Sequence, residues 1–246
     1  MNSLYRQYLQ VSPRLAASTR YWLLFAALLP GVAYAGGYVD LRRVEPIRGN
    51  FAAVAVQTAA CVACHGPSGN SIVPQFPNLA SQRAEYLYHR LAAFKAVNPS
   101  DPSYSSSPMP AQVQSLSDQD LRNVALYFAA QAQSPPVPPP AAAVDGRGEG
   151  LYSGGDPARG VPPCQGCHGA RALGGPVEYG NQYLAYPSLG GQHAAYLVSR
   201  LTDFRKGLPN GSSNDFVMHG VARTLDDGSI QSLAAWLESL PPATAK

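Results

Sequence analysis

The chain has 246 residues, 18 Lys and Arg against 15 Asp and Glu, and only 13% charged residues, where an ordinary soluble domain carries about 25%. The basic excess resides in Arg6, Arg14 and Arg20 of an acid-free leader, so residues 36–246 are formally neutral and carry no basic stripe. That excludes nucleic acid as a natural partner, while the length permits one large domain or two small ones.

In chain order, the first feature is the apolar run YWLLFAALLPGVAYA at residues 21–35, closing on Ala33, Tyr34 and Ala35. Basic residues, an apolar stretch and an A-x-A site describe a secretory signal over residues 1–35. The competing reading is an uncleaved anchor, but a spanning helix wants about 20 apolar residues, and Pro30 and Gly31 interrupt this shorter run. Residues 36–50, GGYVDLRRVEPIRGN, follow and have no counterpart elsewhere in the chain.

From there the sequence repeats itself. PNLASQRAEYLYHRLAAFKAV, from Pro77, aligns with PSLGGQHAAYLVSRLTDFRKG, from Pro187, at an offset of 110. MPAQVQSLSDQDLRNVALYF, from Met109, aligns with MHGVARTLDDGSIQSLAAWL, from Met218, at an offset of 109. Between the copies lies QSPPVPPPAAAV, a polyproline spacer. The expected organisation is therefore a domain over 45–133, a linker over 134–144 and a second domain over 145–246.

Each copy reads as helical. Ala84, Leu87, Leu91 and Phe94 share one helix face, as do Leu121, Val124, Ala125 and Phe128, whose stripe recurs at Ile230, Leu233, Ala234 and Leu237. Ser117 and Asp120 supply a capping-box start. A domain of about 90 residues built from short helices and Gly- and Pro-rich loops has a small core and often needs a metal or cofactor to hold it.

The four cysteines are confined to two short segments, CVACHG from Cys61 and CQGCHG from Cys164. Two thiols three positions apart, followed at once by an imidazole, is the pattern of c-type haem attachment, expected at the start of a helix. In that reading Cys61, Cys64, Cys164 and Cys167 hold two haem c groups by thioethers, and His65 and His168 are the proximal iron ligands. Three other readings explain less. A redox dithiol does not need a histidine twice, a zinc site would have to join motifs over 100 residues apart, and disulfides account for neither histidine nor repeat.

The second axial position decides between carrier and catalyst. Met1 leaves with the signal; Met109 and Met218 then remain, each seven residues before an equivalent leucine, Leu116 or Leu225. Their equivalence favours ligation over simple core packing. A thioether raises the reduction potential, and a His/Met pair closes the coordination sphere. His89, His193 and His219 are the rival sixth ligands.

These residues, CVACHG, PNLAS, Met109 and LSDQDL with CQGCHG, PSLGGQ, Met218 and LDDGSI, resemble the dihaem cytochrome c4 family over residues 50 to 240. The resemblance implies an all-α fold of two tandem class I cytochrome c domains. Each would wrap one covalent haem, with a pseudo-twofold axis between them and the propionate edges facing across the interface. It implies a periplasmic electron shuttle between a quinol-oxidising complex or small donor protein and a terminal oxidase; peripheral membrane association would follow from retention of residues 1–35 instead. It further implies that Pro77 and Pro187 offer carbonyls to Nδ1 of His65 and His168, and it makes Tyr86, Arg90, Tyr196 and Arg200 candidates for the interface or propionates. The alternative is the haem subunit of a redox enzyme, a sulfide-oxidising flavocytochrome or thiosulfate dehydrogenase. Ala80 and Ser81 stand where the second copy has Gly190 and Gly191, and the second copy has a longer loop, ALGGPVEYGNQYLAY, departures that bear on partner choice.

Overall fold

In the computed structural model, residues 39–50, 54–98, 107–136, 144–175, 180–208 and 211–243 are described. The apolar leader and the centre of the proline-rich spacer, 137–143, lie outside them. The described residues contain α-helices, short 3₁₀ turns and two isolated β-bridges, and no strand. The first half holds α1 (Ala55–His65), α2 (Ala84–Ala96), α3 (Met109–Val113) and α4 (Asp118–Ala129). The second holds α5 (Gly146–Gly154), α6 (Gln165–His168), α7 (Ala194–Arg205), α8 (Ser213–Ala222) and α9 (Asp227–Ser239).

Helix α4 forms for reasons visible in its sequence. Ser117 Oγ accepts from the Asp120 amide at 3.1 Å, and the Asp120 carboxylate accepts from the Ser117 amide at 2.9 Å, closing the expected capping box. Its four stripe residues, Leu121, Val124, Ala125 and Phe128, are all buried, and Phe128 and Val124 join Ile47 and Leu87 in the first core. In α9, Asp226 takes the capping role, accepting from the Ser229 amide at 2.6 Å, and Ile230, Leu233, Ala234 and Leu237 face the second core with Leu151, Tyr152 and Leu197. Each of the Val, Leu, Ile and Phe side chains so withdrawn from water contributes about 1.5–3 kcal/mol.

CVACH closes a helix rather than opening one, since α1 runs from Ala55 through His65. The residues before Cys61 are helix formers, so the helix extends upstream. In the second copy, Pro162 and Pro163 precede Cys164, and prolines cannot continue a helix interior; α6 accordingly starts after Cys164 and lasts one turn.

The halves meet through a contact set that follows the sequence repeat. The Gln82 carboxamide accepts from Ser188 N and donates to Ser188 O, both at 2.8 Å. Gln192, its repeat equivalent, accepts from Asn78 N and donates to Asn78 O, both at 2.9 Å. Next in sequence, Arg83 donates to the Gly175 carbonyl at 2.6 Å, and its equivalent His193 bonds Ser71 O at 3.0 Å through Nε2. This reciprocity is what a twofold relation demands, since residue i meeting j requires that the copy of j meet the copy of i.

The segment without a repeat partner ties both halves together. Val39 exchanges backbone hydrogen bonds with Gly211 and Ser213, and Leu41 and Val44 bury against Ala185, all in the second half. A few residues on, Ile47 enters the first core and the Asn50 amide reaches Asn123 at 2.8 Å. This segment and the two halves form one compact unit.

Candidate haem centres

Both C-x-x-C-H histidines are placed by the same device. Gly66 ends α1 with φ 74° and Gly169 ends α6 with φ 76°, left-handed conformations that glycine adopts without strain. A Cβ at Gly66 would collide with the Asn70 carbonyl, and one at Gly169 with that of Gly174. The chain therefore turns sharply after each histidine and returns along it through the P-x-L segment.

His65 and His168 are each 7% exposed. Nδ1 of His65 lies 2.9 Å from Pro77 O, and Nδ1 of His168 lies 3.1 Å from Pro187 O. A carbonyl only accepts, so the proton sits on Nδ1 and each Nε2 keeps its lone pair for a metal. Burial pushes both imidazoles below their ordinary pKa, with the proline carbonyl opposing it in each case. Burial thus favours the neutral imidazole at both positions, the form that ligates iron. The residue before each proline edges the same ring: Phe76 lies 6.2 Å from His65 and Tyr186 6.3 Å from His168, centroid to centroid.

In both motifs the first thiol is half-buried against the core and the second is exposed. None of the four is paired in a disulfide. Burial pushes Cys61 and Cys167 up and Cys164 to about 11, so these thiols lack the thiolate character a redox dithiol requires. Among the described residues no cluster of three or more His, Cys, Asp or Glu side chains could hold an isolated metal ion, which removes the zinc reading. Two thiols three positions apart, followed by a buried imidazole, do fit a haem held by thioethers and one axial nitrogen.

Met109 opens α3, and Met218 lies within α8; both are half-buried. Of the rival histidines, His193 has Nε2 bonded to Ser71 O at 3.0 Å, which commits that nitrogen, and its Nδ1 lies 3.7 Å from the Glu238 carboxylate. His219 gives Nδ1–H to Phe204 O at 2.7 Å. His89 lies against Tyr88, its ring partly buried. Of the interface candidates, Arg90 pairs with Asp215 of the opposite half at 3.1 Å, whereas Arg200 pairs within its own helix with Asp203 at 3.0 Å. Burial pushes the Tyr86 phenol well up, with Tyr196 beside it. Asp215, Gln82, Gln192, Phe76 and Tyr186 escaped sequence reasoning, although the identical offset of the two glutamines was a signal available in the alignment of the copies.

An all-helical fold with two such centres defines a c-type cytochrome, and the cytochrome c family profile matches residues 52–131. The chain is similar to cytochrome c4 of Stutzerimonas stutzeri, 39% identical over 75% of this chain and 86% of that one. It is also similar to the thiosulfate dehydrogenase electron acceptor of Thiomonas intermedia, 31% identical over 80% and 86%. The crystal structure of reduced recombinant cytochrome c4 from Pseudomonas stutzeri superposes with a TM-score of 0.67 at 38% identity, over 78% of this chain and all of the other. The chain belongs to the cytochrome c4 family. It is an electron-transfer protein that carries two c-type haems.

Proposed function

We propose that this cytochrome shuttles electrons singly through each of two His/Met centres, without transforming a substrate itself. Cys61 and Cys64 hold one haem and Cys164 and Cys167 the other, with His65 and Met109 the axial pair of the first and His168 and Met218 that of the second. Each haem, when bound, supplies a one-electron iron couple. The remaining work belongs to the chain. Pro77 and Pro187 fix the imidazole tautomer and ring plane, and the methionine thioethers favour the reduced state.

The observation that carries this reading is the pair of buried imidazoles, each with Nδ1 committed to a proline carbonyl and Nε2 left for a metal. The equivalent placement of Met109 and Met218 in the repeat supports a closed sphere at both centres. The electron donor is a quinol-oxidising complex or a small redox protein, and the acceptor a terminal oxidase. The name of the Thiomonas relative, itself an electron acceptor, supports a carrier rather than a catalyst. The A-x-A leader supports a periplasmic location, and no helix among the described residues is long and apolar enough to cross a membrane.

Carbon monoxide tests the closed sphere. The dithionite-reduced protein is expected to keep its spectrum under the gas, because both axial positions are filled. A carbon-monoxide-bound spectrum at either haem would overturn the carrier reading for that haem.

A further inference from the structure

The buried glutamines do more than join the halves. Ser188 N–H belongs to the same peptide group as the Pro187 carbonyl that receives the His168 proton. Asn78 N–H belongs to the peptide group whose Pro77 carbonyl receives that of His65. Each peptide is therefore held at both ends, by a proximal histidine of its own half at the oxygen and by a glutamine of the opposite half at the nitrogen. The carboxamides cannot be reversed: Gln82 Oε1 also accepts from Arg83 N at 2.9 Å and Gln192 Oε1 from His193 N at 3.1 Å, and amide N–H groups only donate. Both glutamines are buried, at 7% and 6% exposure, where hydrogen bonds polarise one another most strongly.

We infer that Gln82 and Gln192 are crossed positioning residues, each setting the electron-donating strength of the proximal histidine in the other half through one shared peptide bond. This rests on the reading that His65 and His168 ligate the two irons. A hydrogen bond at the peptide N–H moves electron density onto its carbonyl oxygen. That oxygen then draws more strongly on the histidine Nδ1–H, which makes Nε2 a better donor and favours the oxidised metal. Removal of the glutamine acceptor has the opposite effect and raises the potential. The arrangement also explains why the repeat keeps a glutamine five residues after each proline while the neighbouring pair diverges to Arg83 and His193. Those two reach other carbonyls of the opposite half, and neither touches the proline peptide.

The test is a redox titration of the intact dihaem protein, followed by the hyperfine-shifted haem-methyl NMR signals, which report each haem separately. Gln82→Met is expected to raise the potential of the haem ligated by His168 and leave the other in place. Gln192→Met is expected to do the reverse. The shift corresponds to about a threefold change in the reduced-to-oxidised ratio at fixed ambient potential, or about 30 mV for a one-electron couple. Gln82→Glu keeps an acceptor oxygen for Ser188 N–H and is expected to hold the His168 haem at or below its wild-type potential, which preserves the test if the methionine variant does not fold. A shift confined to the haem of the glutamine's own half, equal shifts of both haems, no shift, or a rise in Gln82→Glu overturns the proposal. Failure of histidine ligation itself would show separately, as the absence of hyperfine-shifted signals of an iron-bound imidazole in the wild-type protein.

Discussion

At the scale of single residues, protonation and donor softness decide the chemistry. If Met109 and Met218 supply the sixth ligands, Met109→Ala and Met218→Ala leave both haems covalently attached and each lowers one potential, because the donor that favours reduced iron is lost. Separate redox titrations of the purified variants check this, and an unchanged titration removes the corresponding methionine. His89 makes a different prediction. Burial, with Arg122 nearby, lowers its pKa from 6.5 to about 4, so between those values the unfolded chain binds a proton that the folded chain does not. The stability His89 contributes is thus complete above pH 6.5 and is lost as the pH falls toward 4. His89→Gln flattens the fall in the denaturation midpoint across that window, and a variant as pH-sensitive as the wild type would refute the assignment.

At the scale of elements, the helices are fixed by local rules and the strap of residues 39–50, which ties the two halves, by distant ones. Ser117→Ala removes the α4 cap and costs about 1 kcal/mol of unfolding free energy. Residues 39–50 adopt no helix, yet Val44 is 1% exposed and Ile47 8%. Ile47→Ala opens a cavity in the first core and costs about 2–4 kcal/mol, read from the midpoint of guanidinium unfolding. A cost below 1 kcal/mol would show that the strap merely lies on the surface. The two C-x-x-C-H segments, alike in sequence, sit in unlike helices because alanines precede one and prolines the other.

At the scale of the whole molecule, the halves are joined by groups that tolerate no loss of a partner. Asp215 is 4% exposed and paired with Arg90 across the interface, and Ser212 Oγ bonds the same carboxylate at 3.0 Å. Arg90→Met strands that buried charge and costs about 3–5 kcal/mol, whereas adding Asp215→Leu recovers most of the loss. A double-mutant cycle measures the coupling, and additive losses would mean the pair contributes nothing to the joining of the halves.

The amino-acid sequence by itself determined what depends on covalent spacing and local periodicity. Two thiols and an imidazole within five residues set the haem chemistry, the repeat offsets showed that it occurs twice, and the apolar stripes and capping residues marked α2, α4 and α9 in advance. Cys61, His65 and Pro77 lie within 17 residues of one another, so their relation could be read along the chain. Only the tertiary structure decided how the halves meet. Gln82 meets Ser188 and Gln192 meets Asn78 across more than 100 residues, and no local pattern records a contact made by folding one copy against the other. The same reason hid the strap, whose Leu41 and Val44 have no periodic neighbours, and the fate of His193, which as an isolated histidine was a possible ligand and in the folded chain bonds the Ser71 carbonyl of the opposite half through Nε2.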